Sequence, residues 1–185
     1  ISKQIHLIDI DQRVDQLTCS PDGSQLVFSV EPPSQNQERM TDYELYSLDL
    51  IKLTNNTAVE NNLKWSFDGY SLFFTVSAKG SIEGDYQDFQ GRIYSMNLTN
   101  QQIQRWAQTF QGHITDYQLV DEGRQGIVFT GQLGTQIHVY SQLTAQTELI
   151  KRTNSIGSFE MISTTKINSR FAFIYSELSL PQEVY

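Results

Sequence analysis

Few residues of the sequence have the types and the spacing that catalysis requires. The three histidines, His6, His113 and His138, are scattered, and nothing pairs them with a serine and an aspartate as a catalytic triad requires. There is no Gly-x-Ser-x-Gly motif, which carries the nucleophile of α/β-hydrolases. The single cysteine, Cys19, precedes a predicted turn, and we interpret it as a small buried thiol rather than a nucleophile. We therefore expect no catalytic residue in this chain.

Ligands for a metal or a cofactor are equally sparse. Residues 83–88 include Glu83, Asp85 and Asp88, whose carboxylates are of the type that calcium accepts. The segment lacks the spacing of a calcium loop, so we interpret it as solvated loop charge. The sequence contains no HExxH, no CxxC and no phosphate-binding glycine loop. We expect no metal and no cofactor, and these residues single out no binding site.

Charge and hydropathy exclude several classes of protein. The 185 residues include 13 basic and 21 acidic side chains, which gives a formal net charge of −8. Phosphate contacts need a basic face, so we expect no nucleic-acid partner. No stretch approaches the ~18 apolar residues of a membrane-spanning helix, so we expect no membrane contact. A lone cysteine cannot form an intrachain disulfide. We expect a cytoplasmic protein, and a periplasmic or secreted one stays open as the alternative.

The most informative pattern is an internal repeat. Residues 17–28 (LTCSPDGSQLVF) and 63–74 (LKWSFDGYSLFF) align without gaps at an offset of 46 residues. Each contains an Asp-Gly pair, which is typical of a hairpin turn because glycine adopts a positive φ without steric cost. In the first hairpin, Leu26 and Phe28 are predicted to face one way and Gln25 and Val27 the other. Each unit therefore predicts two strands around a tight turn.

Two further strands follow each hairpin. The third strands carry tyrosines spaced 48, 46 and 45 residues apart, namely Tyr46, Tyr94, Tyr140 and Tyr185. The fourth strands are predicted at 51–54, 103–107 and 148–152. The third and fourth hairpin turns, within 121–126 and 167–170, have lost the Asp-Gly pair. Four short strands in about 45 residues predict a β-propeller blade.

The sequence thus predicts an all-β fold, a β-propeller of about four blades with four antiparallel strands each, in a single domain or fragment spanning residues 1–185. The predicted blades are approximately 11–54, 55–107, 108–152 and 153–185. Residues 4–10 are predicted as an outer edge strand of fourth-strand type. Either this strand closes the ring beside the last blade, or neighbouring blades are missing.

The repeat also makes a packing prediction. Four phenylalanines occupy equivalent positions in the second strands, namely Phe28, Phe74, Phe129 and Phe173. Blades bury their faces against one another, so these rings are predicted to pack between neighbouring blades.

Two segments carry a resemblance to known proteins. The first is SPDGSQLVF at 20–28 followed by ELYSLDL at 44–50, which resembles the repeat shared by TolB-like proteins and the propeller of prolyl oligopeptidase family serine peptidases. The second, RFAFIYSELSLPQEVY at 170–185, resembles the last propeller blade of acylaminoacyl-peptidase and dipeptidyl-peptidase relatives. The resemblance covers essentially the whole chain.

The resemblance implies a function for this chain. It would be the C-terminal half of a seven- or eight-bladed propeller that caps a C-terminal α/β-hydrolase domain. Such a propeller restricts which substrates, mostly short peptides, reach the catalytic serine. The catalytic serine, aspartate and histidine of the family lie in that domain, so none is assigned here. The family's paired-glutamate motif is absent, which gives no support to dipeptidyl-peptidase specificity. The expected partners are the hydrolase domain, short peptides and, because a half-propeller exposes faces and edges, a second copy of the chain.

Two other functions stay open on the sequence alone. One is a free-standing TolB-like module that binds a protein or peptide on its loop face or in its channel. The other is a propeller enzyme in its own right, such as a lyase or glycosidase, which requires carboxylates or histidines that converge near the axis.

Overall fold

The chain folds into β-strands joined by turns. A computed structural model describes residues 10, 12–31, 43–56, 58–79, 90–121, 125–165 and 170–185. The strands are β1 (Arg13–Cys19), β2 (Leu26–Glu31), β3 (Glu44–Ser47), β4 (Ala58–Trp65), β5 (Ser71–Lys79), β6 (Arg92–Asn97), β7 (Ile103–Arg105), β8 (His113–Asp121), β9 (Gln125–Leu133), β10 (Gln136–Gln142), β11 (Ile150–Lys151), β12 (Ser158–Thr164), β13 (Phe171–Glu177) and β14 (Leu180–Val184). None of the described residues belongs to a helix long and apolar enough to cross a membrane.

The strands form four antiparallel blades, which confirms the predicted all-β propeller. Blade 1 is β1–β3, blade 2 is β4–β7, blade 3 is β8–β11 and blade 4 is β12–β14. Within the described ranges, only blades 2 and 3 have the predicted four strands. In blade 1 the fourth strand is reduced to one bridge between Tyr46 and Lys52. The predicted edge strand 4–10 lies outside the described residues.

The two Asp-Gly hairpins form as predicted. Gly23 and Gly69 have φ values of 73° and 76°, which a residue with a Cβ rarely adopts. In the first turn the Ser20 hydroxyl donates to Asp22 Oδ1 at 2.6 Å and accepts from the Gln25 amide at 2.9 Å, and the second turn repeats both bonds. The Ser20 hydroxyl and the Ser24 amide lower the pKa of Asp22 to about 2. These local bonds fix the strand register on either side of the turn.

A stacked aromatic pair joins the second and third strands of every blade. The phenylalanine and tyrosine rings face each other across the ladder with interplanar angles of 16–19°, and their centroids are separated by 6.1 Å in Phe28–Tyr46, 6.1 Å in Phe74–Tyr94, 5.3 Å in Phe129–Tyr140 and 6.2 Å in Phe173–Tyr185. Aromatic cross-strand pairs of this kind stabilise antiparallel sheets. The tyrosine spacing in the sequence therefore reflects a repeated structural contact.

The hydrophobic core lies between the blades. Each blade has a leading face, which packs on the preceding blade and carries the Phe–Tyr pair, and a trailing face, which packs on the next. Phe74 packs with Val27 and Leu45 of blade 1, and Phe129 packs with Phe73 of blade 2. Phe173 packs on the trailing face of blade 3. Phe74 and Phe129 are at most 2% exposed and Phe173 is half-buried, so the inter-blade packing prediction is confirmed for these three rings. Phe28 is 3% exposed, but no described blade packs on its face, so its inter-blade packing stays a prediction.

A main-chain contact repeats at each junction between blades, where the third strand of one blade begins beside the first strand of the next. It joins Tyr43 to Ala58 (N···O 3.0 Å), Gly91 to Ile114 (N···O 3.3 Å) and Ile137 to Ser158 (one parallel β-pair). These contacts hold the blades in a fixed order around the axis.

Candidate functional site

The first strands of the blades form an inner, axial surface. Strand β1 is linked to β4 by two side-chain hydrogen bonds. Tyr117 Oη on β8 donates to the Asn62 carbonyl on β4 at 2.7 Å, and Gln118 Nε2 donates to the Ile162 carbonyl on β12 at 2.9 Å. Strands that neighbour their counterparts in the adjacent blades are the innermost strands of a propeller. Residues on them are the ones that a molecule entering the axis would meet.

Each inner strand is interrupted by a β-bulge. The ladder register shifts at equivalent places in β1, β4, β8 and β12. Two bulge residues, Asn62 and Met161, have positive φ values of 53° and 51°. Bulges re-aim side chains and leave main-chain groups outside the ladder. Here two of these carbonyls, on Asn62 and Ile162, accept hydrogen bonds from side chains of blade 3.

A polar cluster on the axial surface connects blades 2 and 3. Asp116 Oδ1 accepts from the Tyr117 amide at 2.8 Å and from Asn62 Nδ2 at 3.5 Å. The ammonium of Lys64 lies 5.3 Å from the centroid of the buried Tyr117 ring. Burial lowers the pKa of Lys64, and the Asp116 carboxylate opposes that shift. Burial also raises the pKa of Tyr117 well above its usual value. The cluster offers hydrogen-bond donors, acceptors and one charge of each sign.

The histidines lie at blade junctions. The Gly91 amide donates to His113 Nδ1 at 2.7 Å, so the neutral ring carries its proton on Nε2. His138 is buried, with Nδ1 3.2 Å from the Thr153 hydroxyl and Nε2 3.0 Å from Gln136 Oε1. Burial lowers the pKa of both rings, and Arg92 and Lys151 add to the effect at His113 and His138 respectively. Both imidazoles are thus engaged in local hydrogen bonds at their junctions.

The prediction for Cys19 is wrong. Its thiol is exposed rather than buried. The equivalent residues, Trp65 and Leu119, are buried because each lies against a preceding blade. Cys19 ends the inner strand of blade 1, and no described blade covers that side. His6 and the acidic loop with Glu83, Asp85 and Asp88 lie outside the described residues. Within the described ranges, no group of three or more histidine, cysteine, aspartate or glutamate side chains is placed to hold a metal.

A second feature, which the sequence analysis missed, is a groove on the leading face of blade 2. It has a volume of about 420 Å³ and is lined by Asn56, Ala58, Glu60, Phe74, Val76, Tyr94 and Ile103. At its polar end, Asn56 Nδ2 donates to Glu60 Oε1 at 2.5 Å, and the Asn56 amide donates to Glu44 Oε1 at 3.1 Å. Lys52 Nζ lies 2.9 Å from Glu44 Oε1. Two buried carboxylates therefore share one asparagine beside an apolar groove.

The other repeats show that Glu60 is unusual at its position. In each blade, the residue two positions after the stacked phenylalanine pairs across the ladder with one residue of the inner strand. That partner is Val14, Glu60, Ile114 or Phe159 in blades 1 to 4. Glu60 is only 1% exposed, yet it replaces an apolar residue. A signal for it existed in the sequence, but finding it required the strand register.

Comparisons with known proteins bear on the fold. No protein family model matches the chain, and no curated protein sequence matches it. The solved structure of TolB from Acinetobacter baumannii is similar, with a TM-score of 0.52 and 16% identity over 94% of this chain. The chain spans 43% of that TolB chain. The chain has a TolB-like β-propeller fold.

Two protease propellers are also among the similar structures. The β-propeller domain of the Trilobed protease from Pyrococcus furiosus aligns at a TM-score of 0.42 and 9% identity, covering 92% of this chain and 80% of that one. The tricorn protease aligns at a TM-score of 0.38 and 11% identity, covering 91% of this chain and 21% of that one.

Proposed function

We propose that the chain is a non-catalytic propeller segment of a prolyl oligopeptidase family serine peptidase. In this proposal it gates the access of short peptides to a C-terminal α/β-hydrolase domain and docks on that domain. The observation that carries it is the resemblance of residues 170–185 to the last propeller blade of this family, in a chain whose fold is a TolB-like propeller. The proposed membership of this peptidase family also favours a cytoplasmic protein.

The axial surface supports a role in peptide access. Amide side chains at Gln16, Asn61, Asn62 and Gln118 carry both donors and acceptors, as the peptide group does. Lys64 and Asp116 present opposite charges beside them, which suits the termini or charged side chains of a short peptide. A propeller that filters peptides requires polar contacts of moderate strength, since tight binding in the channel would retain the substrate.

The first test is to sequence the parent reading frame for about 250 codons past Tyr185, a length that accommodates one hydrolase domain. A Gly-x-Ser-x-Gly region followed by aspartate and histidine supports the proposal, and a frame that stops near Tyr185 contradicts it. In the full protein, Lys64→Gln and Asp116→Asn should lower kcat/KM for short peptides relative to a small ester. An unchanged peptide-to-ester ratio contradicts gating at the axial surface.

A second candidate is a free-standing TolB-like module that binds a protein or peptide. It is favoured by a groove of about 600 Å³ between blades 3 and 4, flanked by the exposed aliphatic residues Ile156 and Leu178. Glu177 in this groove accepts hydrogen bonds from the hydroxyls of Tyr175 and Ser179. If the frame stops near Tyr185, Leu178→Ser should weaken peptide capture by the isolated chain. Loss of capture supports the module, and unchanged capture contradicts this site.

A further inference from the structure

Lys64 is the only charged residue at its position in the four blades. The equivalent residues each pair across the ladder with the residue that precedes the stacked phenylalanine, and they are Thr18, Lys64, Gln118 and Ser163. Gln118 bridges the junction to the next blade, since its Nε2 donates to the Ile162 carbonyl at 2.9 Å. Lys64 forms no such bond, so the lysine is an exception in a repeat that otherwise has uncharged residues here.

The Lys64 ammonium has unused hydrogen-bond donors. The side chain is half-buried, and Nζ lies 5.3 Å from the centroid of the Tyr117 ring. It forms no hydrogen bond and no ion pair with any described residue. The ring attracts the charge weakly, but it offers no strong acceptor for the three N–H groups. A ligand that carries such an acceptor would supply what the protein does not.

Asp116 influences Lys64 without pairing with it. Its charge favours the protonated lysine, but its Oδ1 accepts from the Tyr117 amide at 2.8 Å and from Asn62 Nδ2 at 3.5 Å. These bonds hold the carboxylate on its own strand and on the neighbouring bulge. The same negative charge weakens the attraction between Lys64 and an anion, so an anionic ligand would bind reversibly rather than tightly.

We propose that Lys64 binds a carboxylate of a short peptide on the axial surface, either the C-terminus or an acidic side chain. A carboxylate accepts charge-assisted hydrogen bonds from an ammonium, which are stronger than those between neutral groups. The inference rests on the proposed function for the peptide as the ligand. It adds that the axial surface selects peptides by a carboxylate and that Lys64 determines this specificity.

The test is a titration of the isotope-labelled chain with three N-acetylated dipeptides, followed by NMR chemical shifts. N-acetyl-alanyl-alanine has a terminal carboxylate, N-acetyl-aspartyl-alanine amide has one on a side chain, and N-acetyl-alanyl-alanine amide has none. Saturable shifts are expected around Lys64 and Tyr117 with at least one acid, with a dissociation constant on the order of 1 mM. The uncharged amide should bind about fivefold more weakly. The acid that binds more tightly identifies the source of the carboxylate, and added salt should weaken the acids alone.

Three variants separate the ammonium from a general effect. Lys64→Gln removes the charge, and it should weaken the acids about fivefold while leaving the amide unchanged. Lys64→Arg keeps the charge and should retain most of the preference for an acid. Lys151→Gln makes the same change on the exposed strand β11, and it should leave all three titrations unchanged.

Two results overturn the proposal. One is equal binding of the acids and the amide by the unmodified chain, or no saturable shifts with any of the three. The other is a preference for the acids that persists in Lys64→Gln. These titrations involve no hydrolase activity, so their failure leaves the reading-frame test of the peptidase proposal unaffected. A frame that stops near Tyr185 likewise leaves carboxylate binding by Lys64 intact.

Discussion

Phe110 is the residue whose removal tests most directly how the blades are held together. It is almost fully buried and contacts two aromatic rings of blade 3. Truncating a buried phenylalanine to alanine removes its transfer free energy and leaves a cavity, which together cost about 3–5 kcal/mol. For a chain of this length each kcal/mol lowers Tm by about 2–4 °C. Phe110→Ala should therefore lower Tm by roughly 6–20 °C.

The assay is urea unfolding followed by the fluorescence of Trp65 and Trp106, of which Trp106 belongs to the same hydrophobic cluster as Phe110. Gly131→Ala provides a second measurement, because its new Cβ would lie 2.5 Å from the Phe110 ring. Alone, Gly131→Ala should destabilise the protein, whereas in the Phe110→Ala background the clash is gone and most of that cost should vanish. A loss below about 1.5 kcal/mol for Phe110→Ala, or additive effects of the two changes, would refute this account of the packing.

Three further predictions concern the turns, the axial surface and the histidines. Gly69→Val should cost about 1–2 kcal/mol in urea unfolding, because valine resists the φ of 76°. Tyr117→Phe should cost about 1–3 kcal/mol in the same assay, because the buried Asn62 carbonyl loses the hydroxyl that donates to it. Folded His113 and His138 have lowered pKa values, so below about pH 6.5 the unfolded chain binds protons first and the free energy of unfolding falls. Replacing both with asparagine should flatten this part of the pH profile.

Each of these predictions has a control and a contrary outcome. An unchanged midpoint in Gly69→Val counts against the turn geometry, and Gly69→Ala should cost less than valine because alanine is not β-branched. Tyr70, which is 64% exposed, gives the matched change Tyr70→Phe, which should be neutral. A pH profile between about pH 7.5 and 5.5 that is identical with and without His113 and His138 contradicts their assignment as neutral, hydrogen-bonded groups.

The parts of the fold that were predictable from the sequence depend on local chemistry. The Asp-Gly turns follow from the φ that glycine adopts, and Gly23 and Gly69 have it. The phenylalanine and tyrosine positions follow from the two-residue period of strands, and each pair is stacked. A fixed offset from the Asp-Gly turn was enough to align Phe28 with Phe74, because no bulge lies between the turn and these residues.

The groove was not predictable, because it depends on which inner-strand residue pairs across the ladder beside the Phe–Tyr pair. Glu60 lies 46 residues after Val14, which matches the offset of the first two turns, but Ile114 lies 54 residues after Glu60, in a repeat whose turn has lost the Asp-Gly pair. Without the register, Asn56 and Glu60 are ordinary polar residues near a loop. The exposure of Cys19 was unpredictable for a different reason, since the burial of an end-blade residue depends on what packs on that face.

Equivalent positions of the blades can therefore be compared with one another, and the difference with the greatest energetic cost is the one at Glu60. Burying a carboxylate costs several kcal/mol before any compensation, and Glu60 is 1% exposed where blades 3 and 4 have isoleucine and phenylalanine. Replacing a buried charge with an apolar residue of similar size is often neutral or stabilising by about 1–4 kcal/mol. We expect this of Glu60→Ile, because the Lys52 ammonium still pairs with the Glu44 carboxylate.

The measurement is the urea midpoint of Glu60→Ile beside that of the conservative change Ile114→Val, which should cost about 0.5–1.5 kcal/mol. A stability equal to or above that of the unmodified chain means that Glu60 is not required for folding. Its retention at a position that the fold fills with apolar side chains then requires another role, such as contact with a ligand. A loss of about 3 kcal/mol or more would instead make Glu60 a structural partner of Asn56, and the disagreement between the repeats would carry no functional meaning.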